Sequence, residues 1–186
     1  MKIVVIGGTG LIGSEVVTKL TEHGHEAVAA SPNTGVNTLT GEGLAEVLAG
    51  AQVVVDVSNS PSFERAAVME FFEFARSIAD AATVDGTVHV APVRFQPIAG
   101  DEVAQAVSRA TAGTPLNGRV KVAGPEQSPM DEFFREALTA WGDSREVVTD
   151  PQAQYFGSVP GERTLVPGDG ATLGRIRYRD WLAAQG

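Results

Sequence analysis

Apolar and polar positions along the chain alternate between two rhythms from the first residue on. Lys2–Gly7 (Lys-Ile-Val-Val-Ile-Gly) is a near-continuous apolar run, which suits a central parallel strand buried on both faces. Leu11–His23 changes period: Ile12, Val16, Val17 and Leu20 recur at helical spacing. Gly24 then supplies a left-handed stop, with His23 in the last turn. Glu26–Ser31 reads as a second short strand and Gln52–Val57 as a third. Between them, a polar loop over Ser31–Thr40 leads into a short helix over Gly43–Ala49, for which Thr40 is the expected cap. Asn59-Ser60-Pro61 opens a long helical pattern from Ser62 to about Ala82, with Pro at the first helical position.

The alternation continues. Thr87–Val90 is a strand, and Phe95–Ile98 is extended, with Pro97 placing it at an edge or turn. Asp101–Ala112 is a helix and Gly118–Ala123 a strand. Ser128–Asp131 resembles a capping box opening a helix to Trp141, and Glu146–Thr149 closes the pattern as a further strand. Beyond Asp150 the periodicity weakens. Strand and helix signals in alternation predict an α/β fold: a doubly wound, mostly parallel sheet with helices on both faces. No linker or internal repeat divides residues 1–186, so a single domain is expected, with a small C-terminal substrate region at about 125–186.

One loop carries a strong chemical signal. Gly7-Gly8-Thr9-Gly10-Leu11-Ile12-Gly13 stands between the first strand and the first helix and satisfies G-x-G-x-x-G from Gly8. Glycine is needed there for a tight turn, for approach of a pyrophosphate to the backbone, and for close helix–strand packing. The helix N-terminus adds free N–H groups and partial positive charge, so backbone N–H groups over Gly8–Ile12 are expected to face phosphates. The alternative is a loop kept only for its turn geometry. A dinucleotide cofactor is the expectation, and the second strand bears on which one. NAD-type sites place an acid at its C-terminal end. That end here is Ala30-Ser31-Pro32-Asn33-Thr34, without an acid. This points to NADP, with Ser31, Asn33 and Thr34 as candidates for a 2′-phosphate. NAD stays open, because no Arg precedes Arg65 and Arg is the usual phosphate partner. Ser58 and Asn59, after the third strand, sit where ligands of open α/β sheets bind; capping by Ser60 is the competing reading.

Composition narrows the picture further. The 186 residues carry 14 Lys+Arg against 23 Asp+Glu, for a net charge of −9. No basic run exists, which argues against a nucleic acid partner. No apolar stretch approaches the ~18 residues of a membrane helix. The chain lacks Cys, so disulfides, thiolate metal sites and cysteine nucleophiles are excluded. The opening residues show no signal-peptide pattern, so a cytoplasmic protein is expected. His23 and His25 suit a solvated helix end better than a metal, and no metal site is expected. His89 reads as a packed or edge histidine, with a proton donor near a nicotinamide as its functional alternative. Phe71, Phe72 and Phe74 read as core, with a flat-substrate pocket as the alternative. Arg175, Arg177 and Arg179 read as a solvated C-terminal segment, with one face of a strand turned toward an anion as the alternative.

The chain resembles the atypical short-chain dehydrogenase/reductase superfamily in its NmrA-like NAD(P)-binding branch. The resemblance rests on MKIVVIGGTGLIG with HGHEAVAAS, on VVVDVSNSPSFE, on FQPIAGDEVAQAV with NGRVKVAGPE, and on RYRDWL. It implies a Rossmann-type domain, a small-molecule substrate and, in the members that have one, a Tyr-x-x-x-Lys pair. This chain departs from the pattern. Two strand–helix units of about 30 residues each are missing, with the join at Glu70–Phe74. Neither tyrosine has Lys four residues on: Tyr155 leads to Val159 and Tyr178 to Leu182. No catalytic residue is therefore assigned. Two functions remain: an NADPH-dependent reductase of a small acceptor such as a quinone, or a non-catalytic dinucleotide sensor. The deletion also predicts a topology. Thr87–Val90 is expected to take the vacant place beside Ile3–Ile6, followed by Arg119–Ala123, in strand order 3-2-1-4-5. The alternative is a partner chain filling it in a swapped homodimer.

Overall fold

The computed structural model describes residues 1–58 and 78–184. Within them Lys2–Ile6 forms β1, and all of it beyond Lys2 is buried. Ile3 and Val5 point to one face of the sheet, with Val16, Leu20, Val55 and Ala104. Val4 and Ile6 point to the other, with Ala30 and Val36. This is the two-sided burial that the unbroken apolar run requires. Leu11–Glu22 is α1, which buries Gly13, Val16 and Leu20. It ends as expected: Gly24 has φ +79°, Gly24 N–H donates to Thr21 O, and His25 N–H donates to Leu20 O. That pair of bonds is a Schellman stop.

The strand order differs from expectation. Glu26–Ala30 (β2) and Val53–Asp56 (β3) lie on either side of β1, both parallel to it, in the order β2-β1-β3. β1 therefore has no vacant edge, for Thr87–Val90 or for a partner chain. Residues 31–52 bring the chain back to the far side of β1. A 3-10 turn (Pro32–Thr34) and the short helix α2 (Leu44–Leu48) make this return. Leu44, Val47 and Leu48 pack on the Val4/Ile6 face, opposite α1, so successive crossovers alternate faces and the unit is doubly wound. Thr40 does not cap α2: Gly43 stands at its N-cap in a left-handed conformation, with no side-chain bond. Gly100–Ala112 is α3, which lies beside α1 and places Ala104 in the same core.

Of the described residues, Met1–Ser58 with Gly100–Asn117 make up one unit, and 78–99 with 118–184 the other. The second unit contains the hairpin β4 (Thr83–Val84) to β5 (Thr87–Val90), turned at Asp85-Gly86 with φ of +48° and +81°. Asp-Gly is a favoured sequence for such a turn. β6 is Arg94–Phe95, β7 Val122–Ala123, β8 Ser128–Pro129, β9 Glu146–Thr149 and β10 Thr172–Leu173. β9 joins β5 in parallel, and α4 (Met130–Ala140) closes that core with Met130, Phe133, Phe134 and Leu138. The strand expected over Gly118–Ala123 is confined to Val122–Ala123, its earlier residues being exposed. Ser128 does not cap α4, because it pairs with Phe95 in a short antiparallel bridge and Pro129 takes the N-cap. The three alternating arginines do not share a strand: Arg177 stands at the N-cap of α5 (Tyr178–Ala183) with no side-chain capping bond, while Arg179 lies inside the helix and pairs with Glu136. The long helix expected from Ser62 and the Phe71–Phe74 cluster fall outside the described residues, as do Asn59 and Ser60.

One ion pair fastens α1 to α3. Lys19 Nζ lies 2.6 Å from Asp101 Oδ1. The Lys19 hydrogen bond holds the Asp101 carboxyl below its usual range, and the same bond raises the Lys19 amine. Stability from the depressed carboxyl is present above its unfolded value and is lost as pH falls through the folded one. Asp101 is half exposed, so the contribution is about 0.2–1 kcal/mol and salt-sensitive. Asp101→Asn is expected to melt slightly lower than the parent at neutral pH. The gap should vanish in strong acid; a gap that persists there would assign the effect to packing.

Candidate functional site

The glycine loop connects β1 to α1 at the C-terminal edge of the sheet. Its glycines do different work. Gly7 adopts φ +77°, and a Cβ there would meet the backbone of Ser58 at 2.9 Å. A Cβ on Gly8 would sit 2.7 Å from both Ala29 Cα and Val5 O, and one on Gly13 would collide with the Gly7 carbonyl. These three are demanded by the packing of loop, strands and helix. Gly10 is less constrained: among the described residues a Cβ there meets a single neighbour, Gly7 O, at 3.3 Å. The described residues leave more room in front of Gly10 than in front of Gly7, Gly8 or Gly13.

The N–H groups complete the cradle. Gly8 donates to Val5 O and Gly10 to Gly7 O, at 3.0 Å each. These two are occupied, which corrects the expectation that the whole Gly8–Ile12 run would face phosphates. Thr9, Leu11, Ile12 and Gly13 have no acceptor for their N–H among the described residues. Gly10 is the N-cap of α1, and neither a capping side chain nor an acid serves the first turn. A helix N-terminus left this way carries unspent donors and the positive end of the helix dipole. An anion is what it binds best.

The neighbouring residues gather at the same edge. Thr9 Oγ1 donates to Ser31 Oγ at 2.9 Å, tying the loop to the end of β2. Ser31 is buried, and its N–H donates to Thr34 Oγ1 at 2.9 Å. The Thr34 hydroxyl faces Ser31 O and Ala29 O, so it is committed to the turn. Asn33 is exposed, and its amide is unengaged among the described residues. At the end of β3, Asp56 Oδ1 accepts from Ser58 N–H at 2.9 Å and from Ser58 Oγ at 2.6 Å. This local turn, signalled by Asp-x-Ser, presses Ser58 against Gly7. Since β1→β2 and β2→β3 cross on opposite faces, the gap between β1 and β3 is the switch point at which open α/β sheets take ligands. Gly7–Gly13 and Ser58 border it. Asn59 lies outside the described residues.

The second unit holds features not anticipated from the sequence. Gln96 is buried, and its Nε2 donates to Gly124 O at 2.7 Å. Gly124 has no room for a Cβ, which would strike the Pro97 carbonyl. The FQPI and VAGPE blocks thus meet in one clasp; the glycine directly after a strand was its only sequence signal. His89 is not at an edge, since β5 lies between β4 and β9, and its Nδ1 is 3.4 Å from Asp150 Oδ2. Burial raises the phenols of both Tyr155 and Tyr178. A tyrosine that serves as an acid at neutral pH needs the opposite shift. No helix among the described residues is long and apolar enough to cross a membrane.

Comparison with known proteins agrees with this geometry. Residues 3–117 match the model of the NAD dependent epimerase/dehydratase family. No curated protein matches the chain. Among solved structures, the chain is similar to a dTDP-4-dehydrorhamnose reductase from Clostridium acetobutylicum. The TM-score is 0.54 at 11% identity, over 81% of this chain and 84% of that one. It is also similar to GDP-mannoheptose C4 reductase from Campylobacter jejuni, solved with NADP bound. There the TM-score is 0.52 at 11% identity, over 97% and 95% of the two chains. At such identities the likeness is one of fold, and it is the Rossmann-like fold expected.

Proposed function

The chain belongs to the NAD dependent epimerase/dehydratase family, and from that premise we propose that it binds NADP(H), in preference to NAD(H), as an NmrA-like reductase of a small acceptor such as a quinone. The observation that carries the reading is the loop itself: room before Gly10, and N–H groups at Thr9, Leu11, Ile12 and Gly13 left unbonded among the described residues. In this reading those N–H groups hold the pyrophosphate. Ser58 borders the same gap, and Asn59 follows it in sequence. Asn33 reaches the 2′-phosphate, with Ser31 and Thr34 shaping the turn that presents it. Residues from about 125 to 186 serve the substrate. The bound nicotinamide supplies hydride transfer, while the protein orients it.

An acceptor such as a quinone, which needs no positioned acid, fits because neither tyrosine is followed by Lys four residues on. The same feature favours a second reading, a dinucleotide sensor without catalysis. NADPH oxidation measured against a panel of quinones and aldehydes separates the two: turnover with any of them supports the reductase, and binding without turnover the sensor. The cofactor preference has its own expected size. Each hydrogen bond to a charged group contributes about 1.5–3 kcal/mol, and about 1.4 kcal/mol is tenfold in affinity. NADPH should therefore bind at least tenfold tighter than NADH by calorimetry. Equal affinities would remove Asn33 and its turn from the 2′-phosphate site.

A further inference from the structure

The end of α3 runs into a long exposed segment. Residues 112–121 are all exposed, with Leu116 at 70% and Val120 at 58%. Asn117 has φ +49° and is followed by Gly118. Neither the Asn117 amide nor the Gly118 N–H has a partner among the described residues. The two compact units also divide at this peptide bond: Asn117 is the last residue of one and Gly118 begins a stretch of the other.

We propose that Asn117-Gly118 is a site of spontaneous covalent modification, at which Asn117 is converted to aspartate and isoaspartate. The Gly118 amide nitrogen, losing its proton to base, attacks Asn117 Cγ. A C–N bond forms, the Cγ–Nδ2 bond breaks, and ammonia leaves with a proton taken from water. Water then opens the resulting succinimide at either carbonyl. One product is aspartate; the other is isoaspartate, whose main chain runs through Cβ and Cγ. No oxidant or reductant takes part. Glycine matters at the second position because it puts no side chain in the way of its own nitrogen, and lasting exposure lets the backbone turn into the attacking geometry.

Two other described asparagines lack these conditions. Asn37 Oδ1 accepts from the N–H groups of Leu39 and Thr40, at 2.9 and 3.3 Å, which holds its amide in place. Asn33 precedes Thr34, whose branched side chain crowds the nitrogen and whose N–H is bound to Ser31 O at 2.9 Å. The consequence of the reaction at residue 117 is a new negative charge and, in the isoaspartyl product, an extra main-chain atom where the chain passes between its units.

The test is to age the folded full chain in mildly alkaline buffer, beside the same chain unfolded in urea. Peptide mass mapping and enzymatic methylation of isoaspartyl carboxylates then follow each asparagine. Conversion of Asn117 in the folded chain at a rate within a few-fold of the unfolded chain is expected, with Asn33 and Asn37 protected. Gly118→Ala should slow it at least tenfold, and Asn117→Gln should abolish methylation of that peptide. Protection of Asn117 by tenfold or more on folding would overturn the proposal, as would equal conversion of Asn37 in the folded chain.

Discussion

Gly10→Val is expected to lose cofactor binding while the chain keeps its circular dichroism largely intact. The reasoning joins two facts about one position. Gly10 is the least crowded glycine of the loop: among the described residues a Cβ there meets only Gly7 O, at 3.3 Å, a tight contact that a shift of a few tenths of an ångström relieves. Yet it stands among loop N–H groups left unbonded by the described residues, where a branched side chain would occupy the space proposed for a pyrophosphate. Displacing two charge-assisted hydrogen bonds costs about 3–6 kcal/mol, and at about 1.4 kcal/mol per tenfold affinity for NADPH should fall by a hundredfold or more. Gly13→Ala is the contrasting variant. Its Cβ would strike the Gly7 carbonyl, so it should lower the melting temperature whether or not a cofactor is added. Undiminished binding of NADPH to Gly10→Val would end the dinucleotide reading of this loop.

The second large effect concerns stability. Phe134 is fully buried on α4, edge-on to Phe133 with ring centroids 5.3 Å apart. It shares a core with Val88 and Val90 from β5 and Val147 from β9. Phe134→Ala removes that burial and leaves a cavity, at a cost of about 3–5 kcal/mol. Domains of ordinary stability hold only about 5–15 kcal/mol. The variant should therefore unfold at much lower urea, and the second unit should lose its near-ultraviolet aromatic signal first. A loss under about 1 kcal/mol would mean that α4 does not close the β5–β9 core. Phe134→Leu, which keeps most of the volume, should lie between parent and Ala.

These two outcomes also separate what local sequence decides from what it leaves open. The positions of β1, α1, β2, β5, α3 and β9 were legible because each depends on its own residues. An apolar run, a helical period and a left-handed glycine at 24 act within a few residues of where they stand. The loop from Gly7 to Gly13 was legible for the same reason. The hairpin at Asp85-Gly86 had a local signal as well, though the helical pattern expected to run through Ala82 obscured its first strand.

Strand order and the separate duties of the glycines were decided only in three dimensions. β1 pairs with β3 across a gap of about fifty residues, and no local pattern states which side of β1 the chain returns to. That choice follows from where Leu44, Val47 and Leu48 find apolar cover, on Val4 and Ile6. Likewise, Gly8 and Gly10 look alike in the motif. One is crowded by Ala29 and the other open, because β2 happens to pass behind the first. By itself the sequence determined that this protein has a glycine-rich strand-to-helix loop on an α/β sheet, since turn chemistry and periodicity are short-range. Only the tertiary structure decided which N–H groups of that loop are left for a ligand and which strand borders it, since both depend on backbone brought from far along the chain.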